Sequence, residues 1–263
     1  IVVLVSSIIG YLFLPPRDLV DLGQSVVASI LFSSNFLFFL EAGYFDNASK
    51  LKPLLHTWSL GVEEQFYIAL PILLLLVHRL GDRFVLPILF SLAVISLILC
   101  AYFLPQNSDL VFYFLPFRAW ELLLGGCLGI LTIHLPCTFS EKNRNFLGIL
   151  GCLGLALSAI IFDSSSPLPG ALSLLPVVST LVIIYASLRT GPVHFFLTHP
   201  VVSYLGTISY GAYLWHFPIL AYWRVYNSDP LGIGAGLLIF VSVIILASLS
   251  YQYVELPFRQ NKD

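Results

Sequence analysis

The stretch His56-Thr57-Trp58-Ser59-Leu60-Gly61-Val62-Glu63-Glu64-Gln65-Phe66-Tyr67 runs without interruption into Ile68-Ala69-Leu70-Pro71-Ile72-Leu73-Leu74-Leu75-Leu76-Val77. A helix that crosses a bilayer needs about 20 mostly apolar residues. Residues 58–78 meet that length, so two adjacent carboxylates enter a membrane helix on its first turns. The positive end of the helix dipole favours negative charge there. Adjacent helix positions diverge by about 100°, so Glu63 and Glu64 cannot share a face. Tyr67 lies three residues beyond Glu64 and four beyond Glu63, within reach of either. An N-cap at Thr57 or Ser59 would account for one acidic residue but not for two. Ionisable groups inside a membrane are costly, which makes this cluster a functional candidate.

The rest of the chain extends that reading. Of its 263 residues, 58% are hydrophobic, 14% aromatic and 10% charged, and the mean hydropathy is +0.93. A typical soluble domain is about 45–50% apolar and about 25% charged. A water-soluble enzyme, a disordered chain and a nucleic-acid binder with a basic face are thereby excluded. The net charge of −2 points to no partner. The expected fold is all-α: a polytopic transmembrane helix bundle of about eight or nine segments in one membrane domain over residues 1–263. The segments fall near 1–14, 22–40, 58–78, 84–104, 111–133, 146–162, 170–188, 200–222 and 231–254. The 22–40 segment carries Gln24, Ser25, Ser29, Ser33, Ser34 and Asn35 and suits a re-entrant path. Pro-, Asn- and Ser-rich breaks separate the others.

Lys and Arg set the expected orientation. Arg79, Arg83, Lys142, Arg144, Arg189, Arg259 and Lys262 occupy alternate loops on one side, against Lys50, Lys52, Arg118 and Arg224 on the other. The first set marks the cytoplasmic face of a cell membrane. The chain has no Met, and it opens inside an apolar run with no signal-peptide features, so its start reads as a cut. Cys100, Cys127, Cys137 and Cys152 match no zinc or redox spacing and read as small buried thiols. His56 with Glu63 or Glu64 lacks a second histidine at ligand spacing, so no metal is expected. Gly125-x-x-x-Gly129, Gly232-x-x-x-Gly236 and the series Gly148, Gly151, Gly154 read as surfaces for close helix packing.

Three further polar clusters stand out. Ser209, Tyr213 and His216 recur at i, i+4 and i+7, a polar stripe on an apolar helix, and Pro218 should free a carbonyl in that helix. Arg118 and Glu121 stand at ion-pair spacing. Glu255 ends the last helix ahead of Pro257.

These residues together resemble the acyltransferase 3 family of integral-membrane O-acyltransferases. The resemblance is carried by the stretch from Leu54 to Tyr67, by Ser34-Asn35-Phe36 and Gly43-Tyr44-Phe45, and by Arg118-x-x-Glu121-x-x-x-Gly125. Ile208-Ser209-Tyr210-x-x-Tyr213-Leu214-Trp215-His216-x-Pro218 and Tyr253-x-Glu255-x-Pro257-x-Arg259 complete it, in order along the chain. It implies transfer of an acyl group, often acetyl, from acyl-CoA to a hydroxyl of a cell-surface or lipid-linked glycan, in a multi-pass protein of the bacterial inner membrane. Acyl-CoA would be a substrate, with no cofactor held permanently. The partners would be acyl-CoA, the glycan acceptor and membrane lipid, with no nucleic acid.

The resemblance also implies site residues. The family's catalytic histidine and an Arg-x-x-Arg pair would precede Ile1, so this chain alone is expected to be inactive. Within the chain the catalytic candidates are Glu64, orienting or charge-pairing that histidine, and His56. His56, Trp58 and Tyr67 would shape the acceptor side, with Glu63 also at the substrate. Arg118 with Glu121 would hold the neighbouring helix or contact substrate, and Tyr213 and His216 would line the acyl channel. Polar residues on several helices also suit a transporter, although no inverted repeat is visible. An inactive fragment is the third reading.

Overall fold

A computed structural model describes residues 1–42, 51–134, 139–163, 166–227 and 231–260. Gly43-Tyr44-Phe45, Lys50, Cys137 and Lys262 lie outside the described residues, as does part of the breaks at 164–167 and 227–230. The described residues are helical, with no strand among them. Five helices are long and apolar enough to cross a membrane: Thr57–His78, Asp82–Phe103, Ser108–Ile133, Glu141–Ile161 and Ile233–Arg259. Val2–Phe13 and Ala171–Ser187 are shorter apolar helices. In the five long helices only 17–28% of the most apolar window is buried within the chain. The rest presents apolar side chains outward, among them Ile160, Leu238 and Phe240. Such a surface suits lipid and not water.

The chain divides into two compact units, residues 1–62 with 200–263 and residues 63–199. The first holds α1 (Val2–Phe13), α2 (Pro16–Ile30), α3 (Ser34–Glu41) and the start of α4 (Thr57–His78). It also holds the helix Pro200–Tyr226 (α11), Ile233–Ser250 (α12) and Leu256–Gln260 (α13). Pro15–Pro16 starts α2, since a proline in the first turn forfeits no helical hydrogen bond. The 22–40 segment is broken: α2 ends at Ile30 and α3 begins at Ser34, with Phe32 at φ 53° between them. Ser33 closes the break by donating to the Ala28 carbonyl at 3.3 Å. The Tyr222 hydroxyl ties α11 to α1 by donating to the Ser6 carbonyl at 2.5 Å. Gly211 lets α11 meet α12, since a Cβ there would lie 3.3 Å from the Ala247 Cα. The Trp215 indole donates to Ser250 across the same contact at 2.8 Å. The last predicted span, 231–254, leaves the α form at Ser250 for a π turn over Tyr251–Glu255. Pro257 lacks the N–H that would bond the Tyr253 carbonyl in an α-helix, which favours the wider turn.

The second unit contains α4 from Glu63 onward, α5 (Val85–Phe103), α6 (Ser108–Tyr113), α7 (Leu115–His134), α8 (Glu141–Ile161), α9 (Leu174–Ser187) and α10 (Pro192–Leu197). Its core centres on Phe66, Leu89, Ala93, Cys100, Trp120 and Leu123. Cys100 and Cys127 are buried, whereas Cys152 is exposed on the outer face of α8, against the expectation of buried thiols. Periodicity alone could not tell which face of an all-apolar helix turns outward. The same limit applies to the glycines. A Cβ at Gly125, Gly129 or Gly232 would meet nothing within 4 Å, and at Gly236 only the Leu231 side chain at 3.7 Å. Gly148, Gly151 and Gly154 do pack, against α9 and Val193.

Ser96 on α5 sets the register of α5 against α7. Its hydroxyl donates to the Pro116 carbonyl at 2.7 Å and accepts from the Trp120 amide at 3.1 Å. These two groups are the ends of one i, i+4 step of α7. Ser96→Ala should therefore cost about 1–3 kcal/mol, because a buried hydroxyl bridge is lost. Chemical or thermal unfolding of the full-length protein in detergent checks it; no change would show that α7 closes its own ladder.

Candidate functional site

The first unit gathers His56, Tyr213 and His216 around one buried point. His56 precedes α4 directly and is 5% exposed. Its ring stacks on Phe217 at 5.4 Å between centroids and 25° between planes. Tyr213 lies edge-on at 5.3 Å and His216 at 5.7 Å. The Tyr213 hydroxyl donates to the backbone carbonyl of His56 at 2.5 Å and shares a 2.5 Å bond with the Ser59 hydroxyl. One phenol thus pins two residues that lie 157 and 154 positions earlier in the chain. His216 Nδ1 sits 2.6 Å from the Tyr213 carbonyl, to which it donates, since a carbonyl oxygen can only accept.

Below His56 the backbone is held by hydroxyls. Thr57 donates to the Leu54 carbonyl at 2.7 Å and meets Ser29 at 2.8 Å. Ser34 donates to the Thr57 carbonyl at 2.8 Å. Thr57 therefore ties the start of α4 to the α2–α3 break. Gly61 is required here, since a Cβ would come within 3.0 Å of the Asn35 side-chain oxygen and 3.2 Å of the Phe32 carbonyl.

Neither ring nitrogen of His56 makes a hydrogen bond of good geometry. The carbonyls of Leu214 and Pro53 face the ring. Leu214 is four residues before Pro218, so its carbonyl is the one the proline frees. Burial, reinforced by His216, pushes the His56 imidazole from its ordinary 6.5 down to about 3. The ring is neutral throughout the physiological range. Unfolded, it would take up a proton below 6.5; folded, it does not until about 3. Stability should thus decline as pH falls from about 6.5 toward 3, where the unfolded chain binds more protons. Unfolding midpoints across that range check this. An identical acid loss in His56→Phe would assign the effect to other groups.

The second unit carries the other candidates. Arg118 Nη2 reaches the Glu121 carboxylate at 2.9 Å and Nε at 3.2 Å, the pair expected from the spacing. The guanidinium also stands 5.8 Å over the Phe112 ring and acts electrostatically on Glu63. Glu63 and Glu64 are both half-buried at the start of this unit's part of α4. Tyr67 is 56% exposed on the outer face, its ring 6.2 Å from Phe66. An apolar cavity of about 410 Å³ lies beside the Arg118 turn, lined by Phe66, Leu70, Leu92, Ser96, Leu115 and Ala119 among others. Trp58, in the first unit, is half-buried. Ser209 does not join the stripe with Tyr213 and His216: it is exposed and donates to its own helix at Gly206, 2.7 Å away. Ser59 and Phe217 belong to the His56 cluster although the spacing of polar residues gave no sign of it. Among the described residues, no three of His, Cys, Asp and Glu gather as a metal site.

The sequence pattern of an acyltransferase domain family fits residues 1–252. The chain belongs to the acyltransferase 3 family. Among its relatives, O-acetyltransferase OatA of Staphylococcus aureus is 26% identical over 95% of this chain and 43% of its own length. Peptidoglycan O-acetyltransferase OatA of Listeria monocytogenes is 28% identical over 99% of this chain and 44% of its own length. The chain therefore spans less than half the length of the curated relatives it matches. No solved structure matches it significantly. Within this family frame, the stretch from His56 to Tyr67 supplies residues to both units.

Proposed function

We propose that the protein is a membrane-embedded O-acyltransferase that moves an acyl group, acetyl in the first instance, from acyl-CoA to a glycan hydroxyl. The acceptor class is cell-surface or lipid-linked saccharide, and the relative named a peptidoglycan O-acetyltransferase makes peptidoglycan the first acceptor to test. The location is the bacterial inner membrane, with eight or nine membrane segments and a single domain. The observation that carries the reading is the enclosed, neutral His56 ring, neither of whose nitrogens makes a hydrogen bond of good geometry, in a chain that matches the family over residues 1–252.

The chemistry follows from what such a reaction needs. Acyl transfer from a thioester requires a base for the incoming hydroxyl and donors for the tetrahedral oxyanion. A ring held near 3 is a poor base at neutral pH. His56 therefore contributes hydrogen bonding: its N–H and its lone pair orient the acceptor hydroxyl. His216 and Tyr213 border the same ring, with Trp58 as the acceptor-side residue of that unit, and Tyr67 in the second unit is a separate candidate for the acceptor. Glu64 orients the reacting base, as the third member of a relay does. Glu63 contacts substrate, and Arg118 with Glu121 contacts substrate or holds the helix they start.

Full-length protein in proteoliposomes, supplied with labelled acetyl-CoA and peptidoglycan fragments, tests the reading. Label should reach the glycan only when both are present. Glu64→Gln should lower the rate by about 100-fold, the scale of losing a group that orients a base. Unchanged transfer at normal expression would remove Glu64 from the mechanism. Flux of glycan without acetyl-CoA would replace the enzyme with a transporter.

A further inference from the structure

Arg144 lies in the first turn of α8, four residues after Ser140, which caps that helix. It is 5% exposed. A guanidinium cannot shed its proton to escape burial, so an enclosed arginine is ordinarily matched by a carboxylate. Arg144 is not. The ion pairs among the described residues are Lys52–Glu41, His78–Asp82 and Arg118–Glu121. Glu141, one turn earlier, is exposed and forms none of them. The hydrogen bond that Arg144 makes runs from Nη2 to the Thr190 carbonyl at 2.7 Å, and Nε is buried with no partner.

That single bond has a structural use. Thr190 lies in the turn between α9 and α10, where the Asn145 side chain sits so close to Gly191 that a Cβ there would clash with it. A neutral amide would hold one carbonyl as well as a cation does, so the clamp explains neither the charge nor the four remaining donors. Arg189, directly before Thr190, and Lys142, two residues before Arg144, are both exposed. Three cations and one exposed carboxylate thus flank the start of a membrane-length helix. Charged residues at such a boundary meet the headgroup layer.

We propose that Arg144, with Arg189 beside the turn it clamps, is a binding site for a phosphate group, which supplies the missing counter-charge. The planar guanidinium fork matches two phosphate oxygens at once. The phosphate can come from a phospholipid headgroup or from a soluble phosphate compound. The site is separate from the acyl-transfer reading and stands or falls without it.

The test uses full-length protein in neutral detergent. One arm reads phosphatidylglycerol retained from mixed phosphatidylglycerol–phosphatidylcholine nanodiscs by native mass spectrometry. The other reads the unfolding midpoint in inorganic phosphate against chloride at equal ionic strength. Preferential retention of phosphatidylglycerol assigns the lipid source; a phosphate-specific rise in midpoint assigns the soluble one. In either case Arg144→Gln, which keeps a donor for Thr190, should weaken binding about tenfold or more, the scale of one charge-assisted hydrogen bond. If that variant fails to fold, the surface change Arg189→Gln should weaken binding several-fold. Binding in neither arm, or binding that the variants leave unchanged, overturns the proposal and makes Arg144 a turn clamp alone.

Discussion

His56→Phe is expected to lower acyl transfer by about 100-fold while leaving the protein as stable as before, or more so. The two halves of that result have one cause. His56 has two polar ring atoms sealed from water with no hydrogen bond of good geometry, only the Leu214 and Pro53 carbonyls facing the ring. Leaving such a group unsatisfied costs about 1–3 kcal/mol, and an apolar replacement of similar shape removes the cost. Phenylalanine keeps the stack on Phe217 and the edge contact with Tyr213. The Tyr213 bond to residue 56 is to the backbone carbonyl, so it survives the change. What disappears is the donor and acceptor offered to the acceptor hydroxyl. Misplacing a reactant by about 1 Å costs on the order of 100-fold. Labelled-acetyl transfer and thermal unfolding, measured on the same full-length preparation, give both numbers. A stable variant with full activity would make His56 a packing residue. A variant that loses stability and activity together would mean that the ring nitrogens are used in the fold.

Much of this arrangement could be read from residues alone, and the rest could not for identifiable reasons. Length and apolarity located the helices, because a membrane helix satisfies its own backbone and needs no partner to be recognised. The Arg118–Glu121 pair followed from spacing, since both ends lie on one helix. Pro218 pointed to a freed carbonyl, and the Leu214 carbonyl does face His56. The break in the 22–40 segment left only a hint in its serines. Its pivot, Phe32, is a bulky residue in the left-handed region, where sequence preference would have put glycine. Ser209 fits the polar stripe by position, but a serine can satisfy itself on its own helix, whereas Tyr213 and His216 are long enough to reach another element. The union of His56 with Tyr213 depends on chain segments 157 residues apart, which no local pattern encodes.

The glycines show the same limit in energetic terms, and they carry the largest structural prediction. Gly148, Gly151 and Gly154 form one face of α8. A Cβ at Gly151 would lie 2.9 Å from the Ser179 carbonyl oxygen and 3.0 Å from Ile183 Cγ1. At Gly154 it would lie 2.3 Å from the Ser179 hydroxyl. The first obstacle is backbone and cannot rotate away; the second is a side chain and can. Gly151→Val should therefore cost about 3 kcal/mol, at the upper end of overpacking penalties. Gly151→Ala should still destabilise, although alanine gains about 1 kcal/mol of helix propensity. Gly129→Ala, where a Cβ meets nothing within 4 Å, should be neutral or stabilising. The decisive comparison adds Ser179→Ala. That change should relieve Gly154→Ala, whose obstacle is the serine hydroxyl, and should not relieve Gly151→Ala, whose obstacle is the carbonyl. Equilibrium unfolding of the single and double variants in detergent reads the coupling directly. Equal relief at both positions would mean that α8 and α9 slide apart as rigid rods, and that the close approach at Ser179 is not what holds them.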